Sequence, residues 1–378
     1  MTEEKSIQFY ATGDVGMNRR DPDSIFEYVR EYLNGADLLF GQLEPCLASG
    51  GSPACQCRLP MKGDPSGGAA IKRAGYDVIS FATNHCMDWG REAFFETLEV
   101  LNRNSLHPIG AGKNIHEARK PYIARISEGE KGGEVRVGFL AYNSIIPANY
   151  HADEDRPGCA PLRGITYYEQ IEPDQPGTPC RIHTFPVEED LKALLEDVRS
   201  LREQVDILVL SMHWGIHFIP AIIADYQRTT AHAAIDNGVD LVLGHHPHVL
   251  KPVEVYKGKA IFYSMGNFAL DPPTSFDPDV QKRKSHEAIK NLNPDMAKGG
   301  KIMPEDSFKS MIFRADIRER KLSNVGFVPV MLDEACNPHI LKPEEKAWQD
   351  LLDYMGQINE SQGIHTEFIP YKDRVKVV

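Results

Sequence analysis

Two histidines that flank a single proline follow directly after an apolar run. Residues 239–243 read Val-Asp-Leu-Val-Leu, and Gly244 to His248 read Gly-His-His-Pro-His. We predict a short buried strand that ends at Gly244, followed by a turn that holds the imidazoles of His246 and His248 in one small volume. Imidazole is the commonest neutral metal ligand near neutral pH. The turn therefore predicts a metal site.

Other potential ligands share this position just past a short apolar strand. They are Asp14, Glu44, Asn84, His85, His213 and Asn267. In α/β sheets that are buried on both faces, ligands bind outside the carboxyl ends of the strands. We therefore expect these side chains to lie close to His246 and His248.

Two carboxylates, three imidazoles and an amide carbonyl can hold two divalent cations. One carboxylate must bridge them, because two cations a few ångströms apart repel each other strongly. Mixed nitrogen and oxygen ligation suits Mn, Fe or Zn better than Mg or Cu, so we expect one or two of these ions per chain. Such a centre lowers the pKa of a bound water and polarises the oxygen of the group under attack, which favours hydrolysis.

The surrounding sequence alternates short apolar strands with amphipathic helices, the pattern of an α/β fold. Strands are predicted at 6–11, 37–41, 77–81, 134–142, 206–210, 239–243 and 260–263. Helices are predicted at 24–33, 67–74, 91–102, 188–201 and 224–236, and a closing antiparallel pair at 308–316 and 324–330. The stretches 147–186 and 271–306 interrupt this alternation and are expected to be variable loops that shape the pocket.

Composition narrows the class of protein. The 378 residues are 42% hydrophobic and 25% charged with a net charge of −12, which argues against a nucleic-acid partner. Seven cysteines exclude a complete intrachain disulfide framework, and Cys55 and Cys57 are interpreted as loop thiols. Neither a signal segment nor a membrane-spanning apolar run is found, so a cytoplasmic protein without a membrane anchor is expected.

The ordered set of short motifs resembles the CapA (poly-γ-glutamate capsule) family, a branch of the calcineurin-like metallophosphatases. The similarity covers about residues 6–270. The motifs begin at Gly13-Asp14, Leu43-Glu44, Thr83-Asn84-His85, Gly110-Ala111-Gly112, His213-Trp214-Gly215, Gly244-His245-His246-Pro247-His248 and Tyr263-Ser264-Met265-Gly266-Asn267. The resemblance implies a metallophosphatase-like four-layer α/β/β/α sandwich with two mixed sheets, formed by a single domain over 1–378 with C-terminal strands at about 308–332.

The resemblance also implies which residues hold each metal. Asp14 and His248 would bind the first metal, and Glu44 stands where the superfamily has its bridging aspartate. The ligands implied for the second metal are Asn84, His213 and His246.

The resemblance further implies a proton donor beside the metals. His85 would be the general acid, and Asp88 is placed to orient its ring by a carboxylate–imidazole hydrogen bond. Strand alternation points His245 away from His246, so His245 is interpreted as structural.

The chain departs from the family pattern at three positions. Gly16 replaces a histidine that the superfamily usually has two residues after the first aspartate, so the first metal has fewer protein ligands. Gln42 stands in place of an asparagine. His217 stands where an acidic residue often follows the His-Trp-Gly motif. Capsule proteins of this family are also commonly membrane-anchored, whereas no anchor is expected here.

Candidate substrate-binding residues are Arg19, Arg58, Asn267 and His217. Each has an ordinary alternative: a solvated basic residue for Arg19 and Arg58, a cap at the sheet edge for Asn267, and packing for His217. The substrate expected is a small-molecule or peptide-like anion, while the oligomeric state stays open.

The function predicted from these residues is metal-dependent hydrolysis of a phosphoester or of an amide or peptide-like bond. Two alternatives stay open. A metal-held enolate would give epimerisation of an amino-acid residue, and a protein without catalysis would be an accessory in poly-γ-glutamate synthesis.

Overall fold

The computed structural model describes residues 6–57, 59–127, 133–175, 177–272, 282, 284–293, 295 and 303–378. Its strands are β1 (Ile7–Gly16), β2 (Leu38–Leu43), β3 (Cys46–Leu47), β4 (Lys62–Gly63), β5 (Val78–Ser80), β6 (His107–Ile109), β7 (Ala111–Gly112), β8 (Tyr122–Ser127), β9 (Glu134–Asn143), β10 (Gly158–Cys159), β11 (Gly164–Gln170), β12 (Cys180–Pro186), β13 (Ile207–His213), β14 (Leu241–His245), β15 (Val253–Tyr256), β16 (Lys259–Phe262), β17 (Asn267–Leu270), β18 (Lys309–Arg318), β19 (Lys321–Leu332), β20 (Pro338–Ile340), β21 (Phe368–Tyr371) and β22 (Arg374–Val377). Its α-helices are α1 (Arg30–Leu33), α2 (Ser66–Arg73), α3 (Gly90–Arg103), α4 (Ile115–Ala118), α5 (Glu188–Arg202), α6 (Asp225–Asp236), α7 (Lys284–Leu292) and α8 (Lys346–Glu360), and two 3-10 helices span Pro22–Phe26 and Glu305–Phe308.

Two large mixed sheets organise the fold. The first has the order β21-β22-β19-β18-β1-β2-β5-β6, with β17 also paired to β1 and β20 to β19. Its central pairs β1–β2, β2–β5 and β1–β17 are parallel, whereas β1–β18 is antiparallel. The second sheet has the order β15-β16-β14-β13-β9-β8, with parallel pairs around β13 and antiparallel pairs at both edges.

The two sheets pack face to face through aromatic side chains. The ring of Phe139 on β9 lies 5.9 Å from Phe9 on β1 and 5.8 Å from Phe40 on β2. Phe262 and Phe313 make a further edge-on contact between the sheets at 5.4 Å. Edge-to-face and offset rings fill such an interface more favourably than a direct face-to-face sandwich.

Helices cover the outer face of each sheet. Residues of β13 alternate: Val209 belongs to the core between the sheets, while Leu208 and Leu210 pack with Leu194 and Val198 of α5. This period of two follows from the pleat, which points successive side chains to opposite faces. On the other side, α2 and α3 pack on the first sheet, with the ring of Phe94 in α3 5.7 Å from Phe81. The predicted four-layer α/β/β/α sandwich with two mixed sheets is confirmed.

Two sequence predictions about element boundaries were wrong. The helix predicted at 24–33 is a 3-10 helix followed by the single turn α1, because Val29 between them has non-helical angles of φ −122° and ψ −11°. The strand predicted to end at Gly244 continues to His245. A Cβ at position 244 would lie 2.2 Å from the carbonyl oxygen of Tyr263, so glycine allows this close backbone approach.

The stretches predicted as loops contain regular structure in their described parts. Residues 147–186 include β10 and the antiparallel hairpin β11–β12. Within 271–306 the described residues form α7 and the start of a 3-10 helix, and the remainder lies outside the described residues. The antiparallel pair predicted near the C-terminus is confirmed as β18 and β19.

All seven cysteines are free thiols, and Cys55 and Cys57 lie before β4 without a disulfide. Over the described ranges, no helix is long and apolar enough to cross a membrane.

Candidate metal centre

The predicted ligands meet where strands of both sheets end. Asp14 lies near the end of β1, at an irregularity in its pairing with β17, and its N–H donates to the carbonyl of Gly266 at 3.0 Å. Glu44 follows β2 directly, and its N–H donates to Val15 at 2.9 Å. His213 is the last residue of β13, a strand of the second sheet. The parallel registers of both sheets therefore bring residues that are distant in sequence to one shared edge.

The two carboxylates are fully buried and incompletely satisfied. Glu44 Oε2 accepts a hydrogen bond from Thr83 Oγ1 at 3.1 Å. Within the described residues, Asp14 Oδ1 and Glu44 Oε1 have no hydrogen-bond partner. Burial and the neighbouring charge of Asp14 raise the pKa of Glu44 to about 8. A buried carboxylate oxygen without a partner is costly, so this pocket favours a bound positive charge.

Asn84 joins two imidazoles on one side of these carboxylates. Its Oδ1 lies 2.7 Å from His213 Nε2 and 3.1 Å from His246 Nδ1. Burial, together with the neighbouring histidines, lowers the pKa of both His213 and His246 well below the ordinary value. Both rings are therefore neutral at physiological pH, the form that ligates metals.

His248 connects the other side of the site. Its Nδ1 lies 2.7 Å from Asn267 Oδ1 and 3.4 Å from Asp14 Oδ2, and its Nε2 lies 3.6 Å from Glu44 Oε1. Burial lowers the pKa of His248. This histidine therefore lies close to both carboxylates, and its role as a ligand stays a prediction.

The backbone of the His-Pro-His turn is strained. His246 has φ +94° and His248 has φ +55°, in the region that glycine adopts far more readily than other residues. Each such residue costs about 1–3 kcal/mol, and strain of this kind concentrates at functional sites. The strained backbone turns both imidazoles into the cluster.

The donor atoms are close enough to share cations. One set is formed by Glu44, His246 and His248, another by Asp14, Glu44 and His213, and within each set the ligand atoms lie within 4.8 Å of one another. Glu44 belongs to both sets, which fits the bridging role expected of it. Because the donors are imidazole nitrogens and carboxylate oxygens with two orphaned oxygens among them, the site fits one or two divalent cations such as Mn, Fe or Zn.

A histidine–aspartate pair stands beside the cluster. His85 Nδ1 lies 2.5 Å from Asp88 Oδ2, and His85 Nε2 lies 3.7 Å from Glu44 Oε1. Asp88 is fixed in turn by the N–H of Met61 at 2.9 Å and by the hydroxyl of Tyr150 at 3.0 Å. Burial opposes the charged imidazolium, yet the Asp88 carboxylate outweighs it and raises the pKa of His85 to about 9. The pair thus presents a proton on Nε2 toward the metal cluster.

Of the four predicted substrate-binding residues, His217 and Asn267 lie beside the metal-ligand cluster, and Arg19 is engaged elsewhere. The ring of His217 lies 4.9 Å from that of His246, and its Nε2 has no partner within the described part of the chain. Asn267 is 2% exposed and contacts His248. Arg19 donates to Asp271 at 2.6 Å and to Asn337 at 2.6 Å, so its guanidinium is already engaged. Arg58 lies outside the described residues.

Sequence reasoning missed three residues that support the site. Thr83 binds Glu44, Tyr150 binds Asp88, and His245, interpreted as structural, places its Nδ1 3.4 Å from Asp14 Oδ1. Thr83 could have been found because it directly precedes Asn84. Tyr150 carries no comparable signal, since it lies in the Pro-rich stretch that was predicted as a loop.

Comparisons with known proteins place the chain in a family. The model of the family "Bacterial capsule synthesis protein PGA_cap" matches residues 1–272. The chain is 28% identical over 268 residues to the PGA biosynthesis protein CapA of Bacillus subtilis, covering 68% of this chain and 62% of the relative. It is 26% identical over 280 residues to the capsule biosynthesis protein CapA of Bacillus anthracis, covering 71% and 61%. The chain thus spans less than two thirds of the length of these relatives.

Further similarities extend to one accessory protein and two solved structures. A probable polyglutamine synthesis accessory protein of Mycobacterium tuberculosis is 28% identical over 236 residues, covering 62% of this chain and 56% of the relative. A hypothetical protein from Thermus thermophilus superposes with a TM-score of 0.42 at 12% identity, covering 89% of this chain and 99% of the other. The calcineurin-like phosphoesterase YfkN of Bacillus subtilis superposes with a TM-score of 0.39 at 10% identity, covering 94% and 98%.

Proposed function

The chain belongs to the bacterial capsule synthesis protein family PGA_cap, as its sequence predicts, and from this membership and the site geometry we propose that it is a metal-dependent hydrolase. The bond it cleaves is a phosphoester. The reaction is attack of water on an anionic phosphoryl group, with a side chain of the protein protonating the leaving oxygen.

One observation carries the proposal. Four potential ligands, Asn84, His213, His246 and His248, surround the two buried carboxylates of Asp14 and Glu44, each of which has an oxygen without a partner among the described residues. His85 of the histidine–aspartate pair lies 3.7 Å from Glu44. A site built only for stability would not keep two buried acids together with one oxygen of each left without a hydrogen-bond partner. A site built for catalysis needs both the charge centre and the adjacent proton donor.

Asn84, His213 and His246 would hold one cation, Asp14 and His248 another, and Glu44 would bridge them. When bound, divalent cations supply an activated water and neutralise charge on the attacked group. Thr83 keeps the Glu44 carboxylate in one orientation by its 3.1 Å hydrogen bond. Asn267 does the same for the ring of His248 at 2.7 Å.

His85 delivers the proton to the leaving group. Its Nδ1 is engaged by Asp88 at 2.5 Å, which leaves the Nε2 proton free to face the cleft. Tyr150 and the N–H of Met61 hold Asp88, so the imidazole is fixed before substrate binds. A fixed general acid contributes typically about 10²–10⁴-fold to the rate.

A second candidate is an accessory role in the synthesis of a glutamyl polymer, without bond cleavage by this chain. It is supported by the relatives, whose names place them in PGA biosynthesis and in polyglutamine synthesis. In that role the metal would stabilise a binding surface, and His85 and Asp88 would be dispensable.

Metal content is the first test. Protein purified without chelator is expected to carry one or two equivalents of Mn, Fe or Zn by mass spectrometry, and His246→Ala is expected to lose most of it while staying folded. His116→Ala, at an exposed histidine on α4, is the matched control. Metal-free wild-type protein that gains no activity from any of these ions contradicts the proposal.

The leaving group separates hydrolase from accessory protein. His85→Gln is expected to slow hydrolysis of phosphoesters with alkyl leaving groups by at least about a hundredfold, because these need protonation. In esters of p-nitrophenol, the nitrophenolate leaves without being protonated. The same variant should therefore cleave these esters nearly as well as the wild type. If metal-loaded wild-type protein cleaves neither class, the accessory role gains.

A further inference from the structure

One wall of the cleft above the His85–Asp88 pair is apolar. The cleft has a volume of about 630 Å³ and opens over His85, His217 and His246. It is also lined by a group that we name the apolar wall, which consists of Leu59, Ile145, Ile146 and Pro147. The imidazoles and the apolar wall line the same cavity, so a substrate large enough to fill it contacts both.

The apolar wall is fixed to the metal centre by hydrogen bonds. The Ser144 N–H donates to the carbonyl of the ligand His213 at 2.9 Å. The buried side chain of Asn143 accepts from the N–H of Ile145 at 2.8 Å and donates to its carbonyl at 3.1 Å. Across the cleft, the side chain of Gln56 donates to Ala148 at 3.0 Å. The wall is therefore a preformed surface.

The wall is also joined to the proton donor. Tyr150 donates its N–H to the carbonyl of Pro147 at 3.1 Å and its hydroxyl to Asp88 at 3.0 Å. Asp88 in turn holds His85. The wall and His85 are thus linked through Tyr150 and Asp88, and the lining of the cleft includes His85 and Asp88 but neither Asp14 nor Glu44.

We propose that the apolar wall is the leaving-group subsite and that it selects phosphoesters of an arylalkyl or branched-alkyl alcohol. This inference rests on the proposed function. Such a group buries its apolar surface against Ile145, Ile146 and Leu59 while its ester oxygen faces His85. A carboxylate-bearing group at the same place would lose water without gaining a partner from these side chains, which is unfavourable.

The test uses methylphosphonate monoesters that differ only in the alcohol: benzyl alcohol, ethanol or glycolate. Each has a single leaving group, so its identity is the only variable. The metal-loaded wild type is expected to prefer the benzyl ester over the ethyl ester by at least about tenfold in kcat/KM, with the glycolate ester last. Ile146→Ala should remove most of the benzyl preference, because it lowers kcat/KM for the benzyl ester far more than for the ethyl ester. Ile369→Ala, which truncates an isoleucine on β21 that is 42% exposed, is the matched control.

Binding measured by titration calorimetry separates failure of this inference from failure of the proposed function. One outcome is that no ester is cleaved but the benzyl ester still binds at least about tenfold more tightly than the ethyl ester. In that case the hydrolase proposal fails, while the preference of the apolar wall for an apolar group is supported. If esters are cleaved without preference, or Ile146→Ala slows all of them equally, the wall is not the leaving-group subsite. Equal binding of the benzyl and ethyl esters by the wild type also overturns it.

Discussion

A buried lysine behind the metal centre gives a stability prediction that can be worked out quantitatively. Lys251 is 1% exposed, and its ammonium donates to the backbone carbonyls of Ile219 and Ile222. Within the described ranges, no carboxylate forms an ion pair with it. It ties the segment that carries His217 to the segment that follows His248. Burial lowers the pKa of Lys251 from 10.5 to about 7.

Because of this shift, Lys251 makes stability depend on pH. In the folded protein the lysine loses its proton at about pH 7, whereas the unfolded chain keeps it up to pH 10.5. Between these values the unfolded chain binds more protons, so the free energy of unfolding rises with pH. From pH 6 to pH 9 the gain amounts to about 2–3 kcal/mol. For a chain of this size that corresponds to about 3 °C in Tm.

The assay compares Tm for the wild type and Lys251→Met from pH 6 to pH 9, in chelator so that metal binding does not contribute. Methionine keeps the length of the side chain but does not titrate. The difference, wild type minus variant, should rise by about 3 °C over this range. The same substitution at the exposed Lys192 on α5 controls for loss of one lysine. A difference that stays constant within about 1 °C, or that falls with pH, refutes the reasoning.

Two further predictions concern the residues next to the carboxylates. Gly16→Ala should lower the free energy of unfolding by about 1–3 kcal/mol in urea denaturation, because a Cβ there would lie 2.3 Å from the ring of Pro45; unchanged stability would show that the ring can move. Thr83→Val removes the hydroxyl that binds Glu44 at 3.1 Å and should weaken metal binding about 10–100-fold in chelator competition without changing the fold. An unaltered metal affinity would mean that Glu44 needs no such support.

The gathering of the predicted ligands was predictable because each lies at or just after the end of an apolar strand. Polar groups such as Glu44 and His213 stand out after strands that are otherwise apolar, and the parallel registers then bring them to one edge. The crowding at Gly16 could not be predicted, because it depends on where Pro45 packs.

The residues that line the cleft were less predictable from the sequence than the clustering of the potential metal ligands. Ile146 and Tyr150 lie in a stretch without hydrophobic periodicity. The place of Ile146 depends on the hydrogen bond that the N–H of its neighbour Ile145 donates to Asn143, and the role of Tyr150 depends on its hydrogen bond to Asp88. Only the folded chain reveals these two bonds. The helix predicted at 24–33 had the right apolar pattern, but that pattern does not report the backbone angles at Val29.

The left-handed backbone of His246 and His248 makes the amount of this protein in the cell depend on the availability of metal ions. The unfavourable backbone angles of this turn lower the free energy of unfolding. Binding of the proposed cations to the folded protein would raise that free energy again. A chain starved of metal would therefore unfold more often and be degraded sooner. Scarcity of the ion would then reduce the amount of protein in the cell as well as the catalytic rate of each molecule. Immunoblots of metal-limited cells can measure the amount of protein.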